Sequence, residues 1–421
     1  MKAEIIAVGT ELLLGDILNT NAQFLSKQLA EMGFSVYHQS VVGDNAERLY
    51  RLVKQAQTRS ELIVFYGGLG PTDDDLTKQT VARAFDDELV FDRDEMDKIS
   101  SYLTATNKPV TKNNEKQAYV PKKGGKFENE KGTAPGVYFE KDGCTAVLLP
   151  GPPSELQPLF LNKVKPFLAK YQKGALHSVS LRIFGIGESE LEGRVMRFLN
   201  GSNPTAALYA KPGEVLLRVT AYAETEEKAY DMCMPTVDMI KNELGSLIYG
   251  YDDDSLESVA VKLLKEKGLK LATAESCTGG MLSQRITSQS GASEVFDCGV
   301  CSYANEIKHK ILGVKNETLA EFGAVSPQVA AQMAQGAALL ANADIGIGIT
   351  GIAGPGGGTP QKPVGLIYVG AYYKNKIYVK QLNVGGRGRN HARHMACQNA
   401  LDMIRRLCLE IEINNAKEYT I

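Results

Sequence analysis

Residues 62–77 read LIVFYGGLGPTDDDLT, and this stretch decides the fold of the first part of the chain. A short apolar run that stops at a Gly-Gly pair is typical of a strand buried on both faces, followed by a tight turn into a helix. The other predicted elements are strands at 5–8 and 34–42, helices at 20–32, 46–58 and 154–170, and a hairpin of 137–140 with 145–149. Because strands alternate with helices, we predict an α/β domain with a parallel sheet over residues 1–170.

Two further domains follow. Residues 171–250 carry a small βαββα pattern without obvious chemistry, which predicts a structural or dimer-contact module. The acidic stretch at 251–254 predicts a linker, and Asp254 with Glu257 resembles a capping box at a helix start. A new alternation over 254–415 predicts a second α/β domain, and the final NNAKEYTI predicts a mobile tail.

The overall composition excludes several classes of protein. Lys and Arg number 47 and Asp and Glu 49, a formal net charge of −2, so we expect no direct nucleic-acid or acidic-membrane partner. We find no apolar stretch near the ~20 residues that span a bilayer, and MKAEIIAVGTE lacks the features of a signal peptide. Seven cysteines, an odd number in a long chain, do not suggest a disulfide framework. We therefore expect a protein of the reducing cytoplasm.

The glycines and aspartates of 67–77 form the first candidate site. Glycines let the backbone approach a ligand, and a helix N-terminus offers unpaired N–H groups to an anion. We place the three aspartates at the start of the following helix, where carboxylates can hold a divalent metal against a pyrophosphate. Gly9-Thr10-Glu11 ends a neighbouring strand, and ligands bind where the carboxyl ends of parallel strands meet. The alternative is acidic capping after a tight turn.

The second candidate site is Ala274-Glu275-Ser276-Cys277-Thr278-Gly279-Gly280, between a predicted strand and a predicted helix. A nucleophile on such a turn is exposed, and N–H groups of the following helix can stabilise an oxyanion. Ser276 and Cys277 are adjacent candidates for the nucleophile. Lys308 or Tyr303, near another strand's carboxyl end, can deprotonate a serine. The alternatives are a Ser/Thr-rich helix cap and a solvated lysine.

A glycine-rich run at 348–358 is the third candidate. Such a run brings backbone N–H groups close to a phosphate or an amide, and the alternative is a flexible loop. Three arginines follow at Arg387, Arg389 and Arg393, and arginine is suited to a bidentate grip on phosphate. The lone CxxC at 298–301 predicts two buried cysteines on a strand, because a zinc site needs four ligands.

Five motifs in order make the first domain recognisable. Gly9-Thr10-Glu11, Asn19-Thr20-Asn21, the 67–77 run, GTAPG at 132–136 and LPGPP at 149–153 resemble the molybdopterin-binding-like domain of the CinA family (competence/damage-inducible protein). This resemblance implies a three-layer fold shared with the MogA and MoeA proteins and a metal-dependent ADP-ribose pyrophosphatase. Carried over residue by residue, it assigns substrate binding to Asn21, Gly68, Gly70 and Thr72, and a divalent metal such as Mg²⁺ to Asp74, Asp75 and Glu11.

The last domain resembles the CinA C-terminal domain, the nicotinamide mononucleotide deamidase. The matching motifs are 274–280, 303–306, 323–326, 351–355 and 362–365. The resemblance implies catalysis without a metal by Ser276, Tyr303 and Lys308, with substrate held by Thr278, Gly279, Gly280, Gly351, Gly354 and Arg389. The local sequence GGRGRNHAR departs from the family's Gly-Asp-Arg pattern, so Arg387 stays an alternative to Arg389.

The two resemblances imply a bifunctional hydrolase of nucleotide recycling. It would act as a homodimer on small-molecule nucleotides from NAD breakdown, deamidating nicotinamide mononucleotide in one domain and cleaving ADP-ribose in the other. Two alternatives stay open. The first domain could bind a pterin or a nucleotide without hydrolysing it, or the protein could be a competence-associated interaction protein.

Overall fold

The computed structural model describes residues 1–171 and 174–419. Its contacts divide the chain into two compact units, which are 1–178 with 220–234, and 179–219 with 235–421. Among the described residues, none of the helices has both the length and the apolar character that a membrane crossing demands.

The first part of the chain forms the predicted α/β sheet. Its elements are β1 (Lys2–Val8), α1 (Thr10–Leu14), α2 (Thr20–Glu31), β2 (Ser35–Val42), α3 (Ala46–Gln57), β3 (Leu62–Tyr66), α4 (Thr77–Ala84), β4 (Leu89–Phe91), α5 (Arg93–Ala105), β5 (Tyr119–Pro121), β6 (Gly125–Phe127), β7 (Gly136–Lys141), β8 (Cys144–Leu149), α6 (Pro153–Leu159) and α7 (Lys165–Leu168). The strand order is β2-β1-β3-β8-β7-β6, with parallel pairing from β2 to β8 and antiparallel pairing from β8 to β6. A π-helical turn at Phe160–Val164 joins α6 to α7 within the helix predicted for 154–170.

Strand β3 shows why the opening stretch is apolar throughout. Leu62, Val64 and Tyr66 pack into the core on one side of the sheet, and Ile63 and Phe65 pack into the core on the other side. Each fully buried side chain of this size stabilises the fold by roughly 1.5–3 kcal/mol. The strand is therefore fixed in the centre of the sheet, and its turn at Gly67 is held at the carboxyl edge.

The middle segment has the predicted βαββα order with one additional strand. Its elements are β9 (Ala175–Ile183), α8 (Glu188–Leu199), β10 (Thr205–Lys211), β11 (Glu214–Ala223), α9 (Glu226–Leu244) and β12 (Ile248–Tyr251). The strand order is β10-β11-β9-β12, and β12 pairs antiparallel with β9. The sequence did not reveal β12 because it is short and contains a glycine.

The last segment forms a mixed sheet. Its elements are α10 (Leu256–Lys267), β13 (Leu271–Glu275), α11 (Met281–Thr287), β14 (Phe296–Cys301), α12 (Asn305–Leu312), α13 (Asn316–Phe322), α14 (Pro327–Ala341), β15 (Ile345–Gly351), β16 (Leu366–Tyr373), β17 (Lys376–Asn383), α15 (Arg389–Cys408) and β18 (Ala416–Tyr419). The strand order is β14-β13-β15-β16-β17-β18. Strand β13 runs parallel to β14 and β15, so the carboxyl ends of these three strands meet at one edge.

The cap of α10 differs from the prediction. Ser255, rather than Asp254, is the N-cap, and its side chain accepts from the amide of Ser258. The carboxylate of Asp254 instead accepts from the amide of Tyr251, at 2.9 Å, and closes the preceding turn. A carboxylate occupied in this way is not available to the helix.

Two further expectations were wrong. The tail is not mobile over residues 416–419, which form β18 and pair with β17; residues 420–421 lie outside the described part of the chain. The CxxC cysteines are not both buried, because β14 is an edge strand that leaves Cys298 partly exposed and Cys301 exposed.

Candidate active sites

Ser276 lies on the turn between β13 and α11, as predicted. Its amide donates to the carbonyl of Ile349 on β15, at 3.0 Å, which fixes the start of the turn. Gly279 and Gly280 have φ angles of +58° and +90°, a conformation in which a side chain is strained. The glycines therefore let the chain turn sharply enough to leave Ser276 at the carboxyl end of β13.

Glu275 fixes the turn after Ser276 by hydrogen bonds to backbone amides. Its carboxylate is buried and accepts hydrogen bonds from the amides of Gly280, Leu282 and Ser283 at 2.8–3.0 Å, and from the Ser283 hydroxyl at 2.7 Å. A carboxylate is favoured at this position because the N–H groups at a helix start are otherwise unpaired. These N–H groups are thus already occupied and are not free to bind an oxyanion, contrary to the prediction.

Two other amides are available for an oxyanion. Among the described residues, neither the N–H of Cys277 nor that of Thr278 donates to another residue, although the N–H of Cys277 contacts its own thiol, and both amides directly follow Ser276. Backbone amides just after a nucleophile are well placed to stabilise a developing oxyanion. The Thr278 hydroxyl is also buried without a partner among the described residues. The turn itself, rather than the helix, offers the donors.

Lys308 is the group next to the Ser276 hydroxyl. Its side chain is buried, and its Nζ lies 3.1 Å from Ser276 Oγ, 2.7 Å from the Ser302 carbonyl and 3.1 Å from the Tyr303 carbonyl. Burial lowers the pKa of this ammonium. A neutral amine can donate its two hydrogens to the two carbonyls and direct its lone pair at the serine hydroxyl. This arrangement suits a base.

Cys277 is buried in the core next to the site. Its thiol is buried in the core that includes Leu282 and Ile349, and burial raises its pKa to about 11. A thiol in such surroundings stays protonated near neutral pH and is a poor nucleophile. Of the two adjacent candidates, only Ser276 has a base in contact.

Arg389 and Tyr303 lie together at the mouth of this site. Arg389 donates to the Gly354 carbonyl at 3.0 Å and lies 3.3 Å from the Tyr303 hydroxyl. Arg393, one turn further along α15, donates to the Thr278 carbonyl at 2.7 Å. Arg389 is thus the arginine that contacts the glycine-rich loop, whereas Arg387 precedes the helix; both side chains are exposed. The Tyr303 hydroxyl has no hydrogen bond to Ser276 within the described part of the chain.

The first candidate site depends on two glycines with left-handed backbone. Gly67 and Gly68 have φ angles of +92° and +65°. A Cβ on Gly67 would lie 2.0 Å from the Val8 carbonyl oxygen, and one on Gly68 would lie 2.1 Å from Thr77 Oγ1. A side chain at either position would be strained by the positive φ and the close contact, so glycine is favoured and the loop passes close to the end of β1 as predicted.

The aspartates do not lie at a helix start. Helix α4 begins at Thr77, and the aspartates occupy the turn before it. The Asp75 carboxylate accepts from the Thr72 amide at 2.9 Å and from the Thr72 hydroxyl, because closing this turn leaves that amide facing the carboxylate. Hydrogen bonding from Thr72 and from its own amide, together with the charge of Lys116, lowers the pKa of the exposed Asp74 carboxyl.

Asn21 lies beside Gly151, which follows the carboxyl end of β8 in the same sheet. Its side chain is buried, and its Nδ2 donates to the Gly151 carbonyl at 2.7 Å. Its Oδ1 is buried without a partner among the described residues. A buried unpaired acceptor is costly, so it suits a ligand that donates a hydrogen bond.

Sequence reasoning missed two charged residues at this edge. Asp44 follows β2, and its carboxylate accepts from the amide and hydroxyl of Thr10 at 3.0 and 2.8 Å. Lys116, on a 3-10 helix at Lys112–Ala118, donates to the Thr72 carbonyl. The sequence could have indicated Asp44 as a residue of this edge, because Asp44 directly follows a strand that was predicted to lie in the parallel sheet. Nothing local marks Lys116, since only tertiary folding brings it to the loop.

The proposed metal ligands do not form one cluster. Glu11 lies on α1, and the described residues contain no group of three or more His, Cys, Asp or Glu that could hold a metal ion. The structure therefore does not bring Glu11 together with Asp74 and Asp75. The two aspartates still fit Mg²⁺, which proteins commonly bind through one or two carboxylates and the phosphates of a substrate.

Three family models match the chain in succession. They are a probable molybdopterin binding domain at residues 4–170, the damage-inducible protein CinA KH domain at 178–250, and the CinA C-terminal domain at 253–408. A solved competence/damage inducible protein from Agrobacterium tumefaciens is 40% identical to this chain and covers 36% of it and 94% of its own chain, with a TM-score of 0.35.

Two curated relatives match nearly the whole chain. A CinA-like protein from Kosmotoga olearia is 50% identical over 412 residues, covering 98% of this chain and 100% of that protein. A putative competence-damage inducible protein from Clostridium botulinum is 49% identical over 407 residues, covering 96% of this chain and 99% of that protein. At this identity and coverage, the chain belongs to the CinA family.

Proposed function

We propose that the C-terminal part deamidates nicotinamide mononucleotide and that the N-terminal part hydrolyses ADP-ribose. The observation that carries the first activity is the 3.1 Å contact between the buried Lys308 amine and the Ser276 hydroxyl. A serine with a lysine base, two following amides that donate to no other described residue and an arginine at the mouth suits acyl transfer on an anionic amide substrate.

The deamidation proceeds through an acyl-enzyme. Ser276 Oγ bonds to the carboxamide carbon while its proton moves to Lys308 Nζ. The amides of Cys277 and Thr278 bind the oxyanion. When the intermediate collapses, the C–N bond breaks and Lys308 returns the proton to the leaving nitrogen, which departs as ammonia. Water, deprotonated by the same amine, then attacks the ester carbon; the C–Oγ bond breaks, Lys308 returns the proton to Ser276 Oγ, and nicotinate mononucleotide is released.

The N-terminal reaction is pyrophosphate hydrolysis at the 67–77 loop. Backbone close to Gly67 and Gly68 would admit the phosphates, and Lys116 would balance their charge, whereas Asn21 Oδ1 would accept from a ribose hydroxyl. Asp74 and Asp75 would hold a divalent cation against the phosphate oxygens, and such an ion neutralises the charge that develops during hydrolysis. The products would be AMP and ribose 5-phosphate.

Two assays on the purified chain test both activities together. Ammonia release from nicotinamide mononucleotide should persist in EDTA, whereas release of AMP from ADP-ribose should stop and recover with added Mg²⁺. Ammonia release that requires a metal contradicts the Ser276 mechanism. Tight pterin binding without turnover of ADP-ribose would favour the alternative of a binding module in the N-terminal part.

Asp75→Asn should abolish ADP-ribose cleavage and leave deamidation unchanged. The amide oxygen of asparagine can still accept from Thr72, so the turn keeps its shape while the negative charge is lost. Rates of AMP and ammonia release from the same preparation provide the measurement. Asp73→Asn, two positions before Asp75 in the same turn and exposed, is the matched control and should retain both activities. Full AMP release by Asp75→Asn removes this residue from the site.

Lys116→Met should raise the KM for ADP-ribose about tenfold or more. The ammonium lies on the carbonyl of Thr72, within the loop proposed to bind phosphate, and a lost charge-assisted hydrogen bond costs about 1.5–3 kcal/mol. Lys112→Met, on the same 3-10 helix and exposed, is the control. Equal KM values for the two variants exclude Lys116 from phosphate binding.

A further inference from the structure

Tyr303 spans the distance between the two ends of the deamidase site. At one end its carbonyl accepts from Lys308 Nζ, which also contacts Ser276 Oγ. At the other end its hydroxyl lies 3.3 Å from Arg389, which is anchored on the Gly354 carbonyl. The backbone of Tyr303 therefore contacts the Lys308 amine next to Ser276, and its side chain reaches Arg389.

The aromatic ring of Tyr303 is exposed and makes no ring–ring or cation–π contact with the described residues. Tyr303 is 67% exposed, although its neighbours Ser302 and Lys308 are buried. Within the described residues, its hydroxyl contacts Arg389 and neither Ser276 nor the Lys308 amine. A ring held at both ends and open to solvent suits contact with a substrate.

We propose that the Tyr303 ring recognises the positively charged pyridinium ring of the substrate by a cation–π contact, and that Tyr303 does not transfer the proton of Ser276. This inference rests on the proposed deamidation of nicotinamide mononucleotide. The glycosidic bond at the pyridine nitrogen makes the nicotinamide ring a cation. With the carboxamide at Ser276 and the phosphate at Arg389, that ring falls along the Tyr303 side chain.

The consequence is specificity for the oxidised nucleotide. Reduced nicotinamide mononucleotide has the same phosphate, ribose and carboxamide, but its dihydropyridine ring is uncharged. A cation–π contact in a partly desolvated site corresponds to about tenfold in affinity. We therefore expect the chain to bind the charged form about tenfold more tightly, and we expect this preference to depend on an aromatic residue at position 303.

The test is a binding comparison on the full chain carrying Ser276→Ala, which prevents turnover. Titration calorimetry measures the affinities for oxidised and reduced nicotinamide mononucleotide with Tyr303, Tyr303→Phe and Tyr303→Leu. The aromatic variants should prefer the oxidised form about tenfold, and Tyr303→Leu should bind the two forms equally. A Tyr303→Leu protein that keeps the preference overturns the inference.

A kinetic measurement separates recognition from proton transfer. In the chain with Ser276 intact, Tyr303→Phe should keep kcat within a few fold, and Tyr303→Leu should mainly raise KM. A loss of kcat by orders of magnitude in folded Tyr303→Phe would show that the hydroxyl is catalytic and would contradict the inference. Absence of both binding and ammonia release in the parent chain would instead overturn the proposed deamidation, together with this inference.

Discussion

Ser276→Ala should lower the rate of ammonia release from nicotinamide mononucleotide by about 10³-fold or more, as removal of a nucleophile does in acyl-transfer enzymes. The substitution removes the one hydroxyl that contacts the Lys308 amine in the described part of the chain. Alanine leaves the backbone of the turn unchanged, because the amide of Ser276 still donates to Ile349. Substrate binding should therefore persist while turnover is lost.

Cys277→Ala is the matched control for this prediction. The thiol is buried, and its pKa is raised to about 11, so it does not ionise near neutral pH. Loss of a small buried side chain should reduce the free energy of unfolding modestly and leave most of the deamidase rate. An inactive Cys277→Ala protein beside an active Ser276→Ala protein, both folded by circular dichroism, would reverse the assignment of the nucleophile.

Lys308→Met should reduce kcat for deamidation by about 10²–10⁴-fold, the range typical of a lost general base. Methionine has a similar length, so the pocket stays filled while the amine is removed. Lys308→Arg should be equally inactive, because a guanidinium stays protonated and cannot accept the serine proton. Lys310→Met, an exposed lysine on the same helix α12, is the control and should be fully active.

The pH dependence of the parent chain gives an independent measurement of the same group. Burial lowers the pKa of Lys308, and the proposed mechanism requires its neutral amine. The rate should therefore rise with pH and level off above the lowered pKa, which lies below the usual lysine value of about 10.4. A rate that falls as the amine loses its proton contradicts its role as a base.

Much of the fold was accessible from residue patterns alone. The apolar run at 62–66 and the glycines after it predict a central buried strand and a tight turn, because strand burial and left-handed φ angles are local requirements. The turn that carries Ser276 was equally recognisable, since Gly279 and Gly280 allow it. The cap of α10 was misplaced, because Asp254 and Ser255 are both good caps and only the contact with Tyr251 distinguishes them.

By itself, the sequence determined most strands and helices but not β12 or β18, the two glycine turns, and the candidate nucleophiles with most of the charged residues around them. Only the tertiary structure decided among them. Lys308 contacts Ser276 across 32 positions of sequence because β13 and β14 are parallel neighbours, whereas Cys277 turns into the core. Lys116 contacts the Thr72 carbonyl of the 67–77 loop across 44 positions of sequence. Local sequence patterns set the backbone conformation. Residues distant in sequence decide which charges pair, which side chains are buried with a shifted pKa, and which way a side chain points.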